Sequence, residues 1–129
     1  MRIIVRSFAT AIAVIVMALS SHAQDVVFSE MTVAEVVAAL DSSDLSASEL
    51  RSMASYQRLE IVDLAKLENE PDYDEVEKAL DRMDDGWARV QTAIVGNDLI
   101  REALREQKVS IQKVTAASDA NGVVTIYVR

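Results

Sequence analysis

The fold class is decided by the stretch VTAASDANGVVTIYV, residues 114–128. Its segment SDANG, residues 118–122, has a turn composition, and Gly122 suits a positive φ. Placing Ala117 opposite Val123 gathers apolar side chains on one face, and it pairs Thr115 with Thr125 and Lys113 with Tyr127. The apolar face then holds Val114, Ala116, Val124, Ile126 and Val128. This segregation predicts an antiparallel β-hairpin over about 113–128 with one buried face.

Helix starts precede the hairpin and carry two complete capping boxes. Thr32 with Glu35 and Ser46 with Glu49 have the required spacing, and each pair is flanked by the apolar residues of a hydrophobic staple. A third start follows Pro71, and Gly96 with Asn97 indicates a helix end followed by a new cap. Apolar spacing then predicts helices over about 33–41, 47–69, 73–95 and 99–107.

We therefore predict a predominantly helical α+β domain over 24–129. Three to four packed helices are followed by a C-terminal antiparallel β-hairpin. Residues 25–29 are too short a segment to assign, although they are able to add an edge strand. In the helix over 73–95 the apolar stripe includes Trp87, which is expected in the core, and Gly86 is expected to allow a local kink.

The N-terminus has the pattern of an export signal. Arg2 and Arg6 precede an apolar run at positions 7–19, and the small residues Ser21 and Ala23 predict cleavage after Ala23. The apolar run is shorter than the ~20 residues of a membrane-spanning helix. The sequence thus predicts a signal peptide over 1–23 and a periplasmic or secreted product without stable membrane association.

Cleavage at this position decides which chemistry the product can perform. It removes His22, the one histidine of the chain, and the sequence holds no cysteine. Triads and dyads that need an imidazole or a thiol are then excluded, as are zinc, copper and haem sites built on those ligands. No glycine-rich phosphate loop is present, so the sequence predicts no cofactor and favours a protein without enzymatic activity.

Charge limits the partners in the same way. Loss of two arginines leaves 11 basic residues against 21 acidic ones, a net charge of −10. Such a protein repels phosphate backbones and anionic lipids, so nucleic acid is not expected as a partner.

Two places on the chain are candidate sites. The acidic segment 70–85 contains four carboxylates on one flank of the predicted helix, which suits low-affinity Ca²⁺ or Mg²⁺ binding: Asp74, Glu77, Asp81 and Asp84. A solvated acidic face is the simpler interpretation of the same pattern. The second candidate is the outer edge of the hairpin, where Val123, Thr125 and Tyr127 would serve strand addition.

The leading functional hypothesis is a non-catalytic interaction module that binds an unidentified protein partner or associates with itself through the hairpin. The alternative is a divalent-cation-binding protein using segment 70–85. A carboxylate-based hydrolase is a third hypothesis, although with 21 acidic residues the sequence does not single out a pair.

Overall fold

A computed structural model describes residues 25–129, so the predicted signal peptide lies outside the described residues. Within these residues, four strands, five α-helices and two 3₁₀ turns follow one another. In order they are β1 (Asp25–Phe28), α1 (Val33–Ser42), α2 (Ala47–Ser52), β2 (Arg58–Asp63), a 3₁₀ turn (Leu64–Leu67), α3 (Asp74–Asp81), α4 (Trp87–Val95), α5 (Asp98–Glu106), a second 3₁₀ turn (Ile111–Lys113), β3 (Val114–Ala120) and β4 (Val123–Val128). Within this part of the chain, no helix is long and apolar enough to span a membrane.

The four strands form one mixed sheet in the order β1-β2-β4-β3. β1 runs parallel to β2, with Asp25 aligned to Arg58, and β2 runs parallel to β4, with Arg58 aligned to Val123. β3 and β4 are antiparallel. The predicted class, mixed α and β with an antiparallel C-terminal pair, is therefore confirmed, but the hairpin is part of a larger sheet.

Helices cover both faces of this sheet, because successive strand residues point to opposite sides and both sides are apolar. One core joins α2, α4 and α5 to the sheet residues Leu59, Ile61, Val114, Ala117, Val124, Ile126 and Val128. The other joins α1 and α3 to Val62, Ala116 and Tyr127. The chain changes face between α1 and α2, where Ser43 contacts Asp119 at the end of β3.

The two capping boxes form as predicted. The Thr32 hydroxyl accepts from the Glu35 amide over 3.2 Å, and the Glu35 carboxylate accepts from the Thr32 amide over 2.9 Å. Ser46 and Glu49 repeat the exchange at the start of α2, with both distances at 3.1 Å. Each box satisfies donors that the first helical turn leaves unpaired. The predicted helices over 33–41 and 99–107 are also found, as α1 and α5, within a residue at each end.

The predicted helix over 47–69 is wrong. α2 ends at Ser52, and residues 58–63 form β2 instead. Leu59 and Ile61 lie in one core while Val62 lies in the other, so this strand is buried on both faces. The apolar residues Leu59, Ile61 and Val62 also fit a helical stripe, because a short apolar segment does not distinguish a buried strand from a helix.

The predicted helix over 73–95 is two helices. α3 ends at Asp81, and Gly86, in an extended conformation, is the N-cap of α4. Trp87, the first residue of α4, lies outside the core, and 61% of its surface is exposed. The expected core position of Trp87 is thus wrong, and the expected kink at Gly86 is a complete break.

The hairpin forms with a different register. Ala120, rather than Ala117, lies opposite Val123, and Ala117 lies opposite Ile126. The turn is the dipeptide Asn121-Gly122, whose φ values of 53° and 84° are both positive. Positive φ at both positions is typical of the two-residue type I′ turn, which asparagine followed by glycine favours.

Candidate functional site

The three residues predicted to form a docking edge lie in the interior of the sheet. β4 carries Val123, Thr125 and Tyr127, and it is flanked by β2 on one side and β3 on the other. Thr125 and Tyr127 are buried. The prediction that this strand offers a free edge is therefore wrong, because β2 was assigned to a helix and could not be foreseen as its neighbour.

Tyr127 instead has the contacts of a buried core residue. Its hydroxyl shares a 2.8 Å hydrogen bond with the Ser118 hydroxyl, and its ring packs in the core with α1 and α3. Burial raises the pKa of the Tyr127 phenol above its ordinary value, and the nearby Glu60 carboxylate raises this pKa further, whereas the hydrogen bonds to Ser118 and Thr125 oppose the rise.

The four acidic residues of the predicted cation site are all exposed, along α3 and just beyond it. Asp74 lies 3.6 Å from the Lys78 ammonium, an ordinary surface pair. Across residues 25–129, no three Asp, Glu or His side chains converge closely enough to hold a metal ion. The structure therefore does not bring Asp74, Glu77, Asp81 and Asp84 together as one ligand set.

The described sheet has two edge strands, β1 and β3, and side chains cover the edge of β3 at both of its ends. The Gln91 side-chain amide donates to the carbonyl oxygens of Gln112 and Val114 over 3.1 and 3.0 Å. At the other end of the strand, the Ser43 hydroxyl accepts from the Asp119 amide over 3.2 Å. Side chains thus occupy backbone groups that a further strand would need.

The edge of β1 is arranged differently. The Ser29 amide donates to the Ile61 carbonyl over 2.9 Å, so by alternation residues 25, 27 and 29 face β2. The backbone groups of Val26 and Phe28 then point away from the sheet, and in the described chain no strand pairs with them. Phe28 is 58% exposed, whereas phenylalanine is among the residue types most often buried.

A cleft of about 990 Å³ opens where β1 and β2 end. It lies between the β1–α1 loop, the start of α1 and the 3₁₀ turn after β2. Its apolar lining consists of Phe28, Met31, Val33, Ala34, Ile61, Val62 and Leu67. Its charged residues are Glu30, Glu35, Asp63, Lys66, Glu70 and Asp72. One basic residue thus faces five acidic ones.

α1 begins at this cleft, and the Glu35 carboxylate already lies at the positive end of its helix dipole. The Glu35 carboxylate lies over the first turn and accepts from the Thr32 amide. This backbone hydrogen bond, with the one from the Thr32 side chain, lowers the pKa of Glu35. A carboxylate held at this place neutralises the helix dipole and repels any further anion.

Sequence reasoning missed this surface because β1 is only four residues long. The segment 25–29 was too short to assign from the sequence, and its partner β2 lies 33 positions further on. Comparisons of the chain with protein-family models, with curated proteins and with solved structures find no match.

Proposed function

We propose that this protein is an exported, non-catalytic interaction module, periplasmic or secreted, that binds a protein partner by strand addition to β1. The observation that carries the proposal is that, among residues 25–129, no strand covers the outer edge of β1 beside the exposed Phe28. In strand addition, backbone hydrogen bonds supply affinity and flanking side-chain pockets supply specificity. β1 offers both, since the 990 Å³ cleft begins at its last residue.

The contrast between the two edge strands supports this choice of strand. Gln91 and Ser43 cover backbone groups of β3, whereas the outward groups of β1 have no such cover in the described chain. Exposed edges favour unwanted pairing, so proteins commonly block them. Within residues 25–129, the edge of β1 is thus more open to a partner than the edge of β3, which side chains cover at both ends.

Export and the absence of catalysis rest on the sequence. Cleavage after Ala23 would keep Asp25–Phe28, the described residues of β1, in the product. The product would then hold neither imidazole nor thiol. Among the carboxylates of the cleft, Asp63 accepts from the Ala65 amide over 3.0 Å, which gives it the role of a cap for the turn after β2.

A random peptide library displayed on phage tests the proposal when the purified protein is the bait. We expect enrichment of peptides that bind the wild type, are weakened by Phe28→Ala and are lost with Phe28→Pro. Proline at position 28 removes an outward N–H group while leaving the ladder with β2 intact, whereas alanine removes only the ring. Peptides that bind Phe28→Pro as well as the wild type, or no enrichment at all, would overturn the proposal.

A further inference from the structure

We infer that the segment added to β1 is basic, with Lys or Arg alternating with apolar residues, and that it continues past Phe28 into the acidic cleft. This inference rests on the proposed function and names the chemistry of the partner. It depends on three features of the surface: its charge, the occupied start of α1, and the exposed ring beside the strand edge.

Charge is the first feature. Glu30, Glu70 and Asp72 are exposed around the mouth of the cleft, and Lys66 is the one basic residue of its lining. A surface with several carboxylates attracts a cationic partner and steers its approach, and it disfavours acidic segments. The strongly acidic balance of the whole chain acts in the same direction.

The Glu35 carboxylate at the start of α1 disfavours an anionic ligand, which is the main alternative to a basic one. A cleft at a helix N-terminus ordinarily suits phosphate or another anion. Here the Glu35 carboxylate is already held there by the Thr32 amide, 2.9 Å away. A second anion would meet this charge, so the cleft favours ammonium or guanidinium groups.

The exposed ring explains why apolar residues must alternate with the basic ones. Side chains of a strand added to β1 would lie alternately on the two faces of the sheet. On one face they would meet Val26 and the Phe28 ring, which 58% exposure leaves available for contact. An apolar side chain there would cover the ring, and the basic residues between would remain free for the carboxylates.

A second copy of this chain fits the surface less well. Two copies joined through β1 would bring two acidic clefts and two net negative charges together, which like-charge repulsion opposes. Self-association is therefore an outcome that the experiment must detect, and sedimentation of the purified protein, with and without Phe28→Pro, detects it.

The probes are two labelled hexapeptides with blocked ends, Lys-Val and Glu-Val each repeated three times, measured by fluorescence anisotropy. We expect the Lys-Val peptide to bind and to weaken by about tenfold or more between roughly 0.05 and 0.5 M salt, because screening shortens the reach of surface charges. The Glu-Val peptide should not bind. Phe28→Pro should abolish binding of the Lys-Val peptide.

A pair of matched double variants assigns the charges. Glu30→Lys with Glu70→Lys should weaken the Lys-Val peptide by about tenfold or more, since attraction becomes repulsion. Glu77→Lys with Asp81→Lys changes the overall charge equally, on exposed positions of α3 outside the cleft lining, and should have little effect. Thermal unfolding of the wild type, Phe28→Pro and the two double variants checks that each variant is folded.

The outcomes separate the inference from the proposed function. Equal binding of both peptides, or equal loss in both double variants, overturns the inference, and if Phe28→Pro still abolishes binding, strand addition to β1 stands. A dimer that Phe28→Pro dissociates identifies a second copy as the occupant and also overturns the inference. Undiminished binding of the Lys-Val peptide to Phe28→Pro contradicts strand addition itself.

Discussion

The side-chain amide of Asn97 donates to the carbonyl oxygen of Leu50 over 2.8 Å and so joins the start of α5 to the end of α2. The same amide donates to the Met53 carbonyl over 2.9 Å, and its oxygen accepts from the Ile100 amide over 3.2 Å. Asn97 is buried, and it pairs with backbone groups at two helix ends, where hydrogen bonds within the helix are incomplete. One side chain thus caps α5 and holds α2 in place.

Substitution of Asn97 should therefore cost more than an ordinary cap. We expect Asn97→Ala to lower the free energy of unfolding by about 2–3 kcal/mol, because buried carbonyls and an amide lose their partners together. Asn97→Ser keeps a capping oxygen but is too short to reach Leu50, so it should cost an intermediate amount. Urea unfolding measures both changes. The exposed Asn69→Ala is the control, and an equal cost there would contradict this account.

Proline substitutions at two neighbouring positions of β1 should lower the stability of the protein by different amounts. The backbone N–H group of Val27 faces β2, so Val27→Pro removes a hydrogen bond between the strands. This change should destabilise the protein by about 2–3 kcal/mol. Phe28→Pro removes an N–H group that points outward, and it should cost less than about 1 kcal/mol. Thermal unfolding compares the two variants. A larger loss in Phe28→Pro would mean that β1 pairs in another register.

The buried phenol of Tyr127 should make the protein sensitive to alkali. Burial raises its pKa in the folded state above the ordinary value of about 10. The unfolded chain therefore loses this proton first, so stability is complete below about pH 10 and falls as the pH rises through the folded-state value. We expect a shallower alkaline decline in Tyr127→Phe, which has no proton to lose.

Unfolding by urea at stepped pH values measures this difference. Below pH 9 the Tyr127→Phe variant should be about 1 kcal/mol less stable than the wild type, because Ser118 loses its 2.8 Å partner. The two stability curves should approach each other at higher pH. Parallel curves throughout would show that Tyr127 does not carry the alkaline effect.

Trp87 supplies a spectroscopic test of the break between α3 and α4. Because 61% of its surface is exposed, acrylamide should quench its fluorescence nearly as well as that of a free tryptophan derivative. Trp87→Ala should change stability by no more than about 0.5 kcal/mol. Ile94→Ala is the matched contrast, since Ile94 lies in the same predicted helix over 73–95 but is fully buried, and it should cost about 2–5 kcal/mol. Poor quenching would favour the single long helix.

Local signals in the sequence were sufficient where the structure depends on neighbouring residues. Thr32 with Glu35 and Ser46 with Glu49 exchange hydrogen bonds within one helical turn, so their spacing alone located the starts of α1 and α2. The alternation at the C-terminus likewise predicted β3 and β4. Its register was missed because the turn was placed over residues 118–122 rather than on Asn121-Gly122.

Long-range pairing is where sequence reasoning failed. Nothing near Arg58 indicates that its neighbours are Asp25 on one side and Val123 on the other. Without these partners, Leu59, Ile61 and Val62 fit a helical stripe as well as a buried strand. The candidate site depends on the same pairing, since only the complete strand order shows that β4 is internal and β1 lies at an edge.

The position of β4 between β2 and β3 also determines the order in which the molecule is able to assemble. Arg58 aligns with Val123, 65 positions later. The central strand pair, β2 with β4, therefore joins segments that are made far apart in time during translation. A nascent chain that has reached α5 holds β1 and β2 with no third strand, and closing so large a loop is slow. We therefore expect the sheet to close only after β3 and β4 have been synthesised, so that folding is completed at the end of translation.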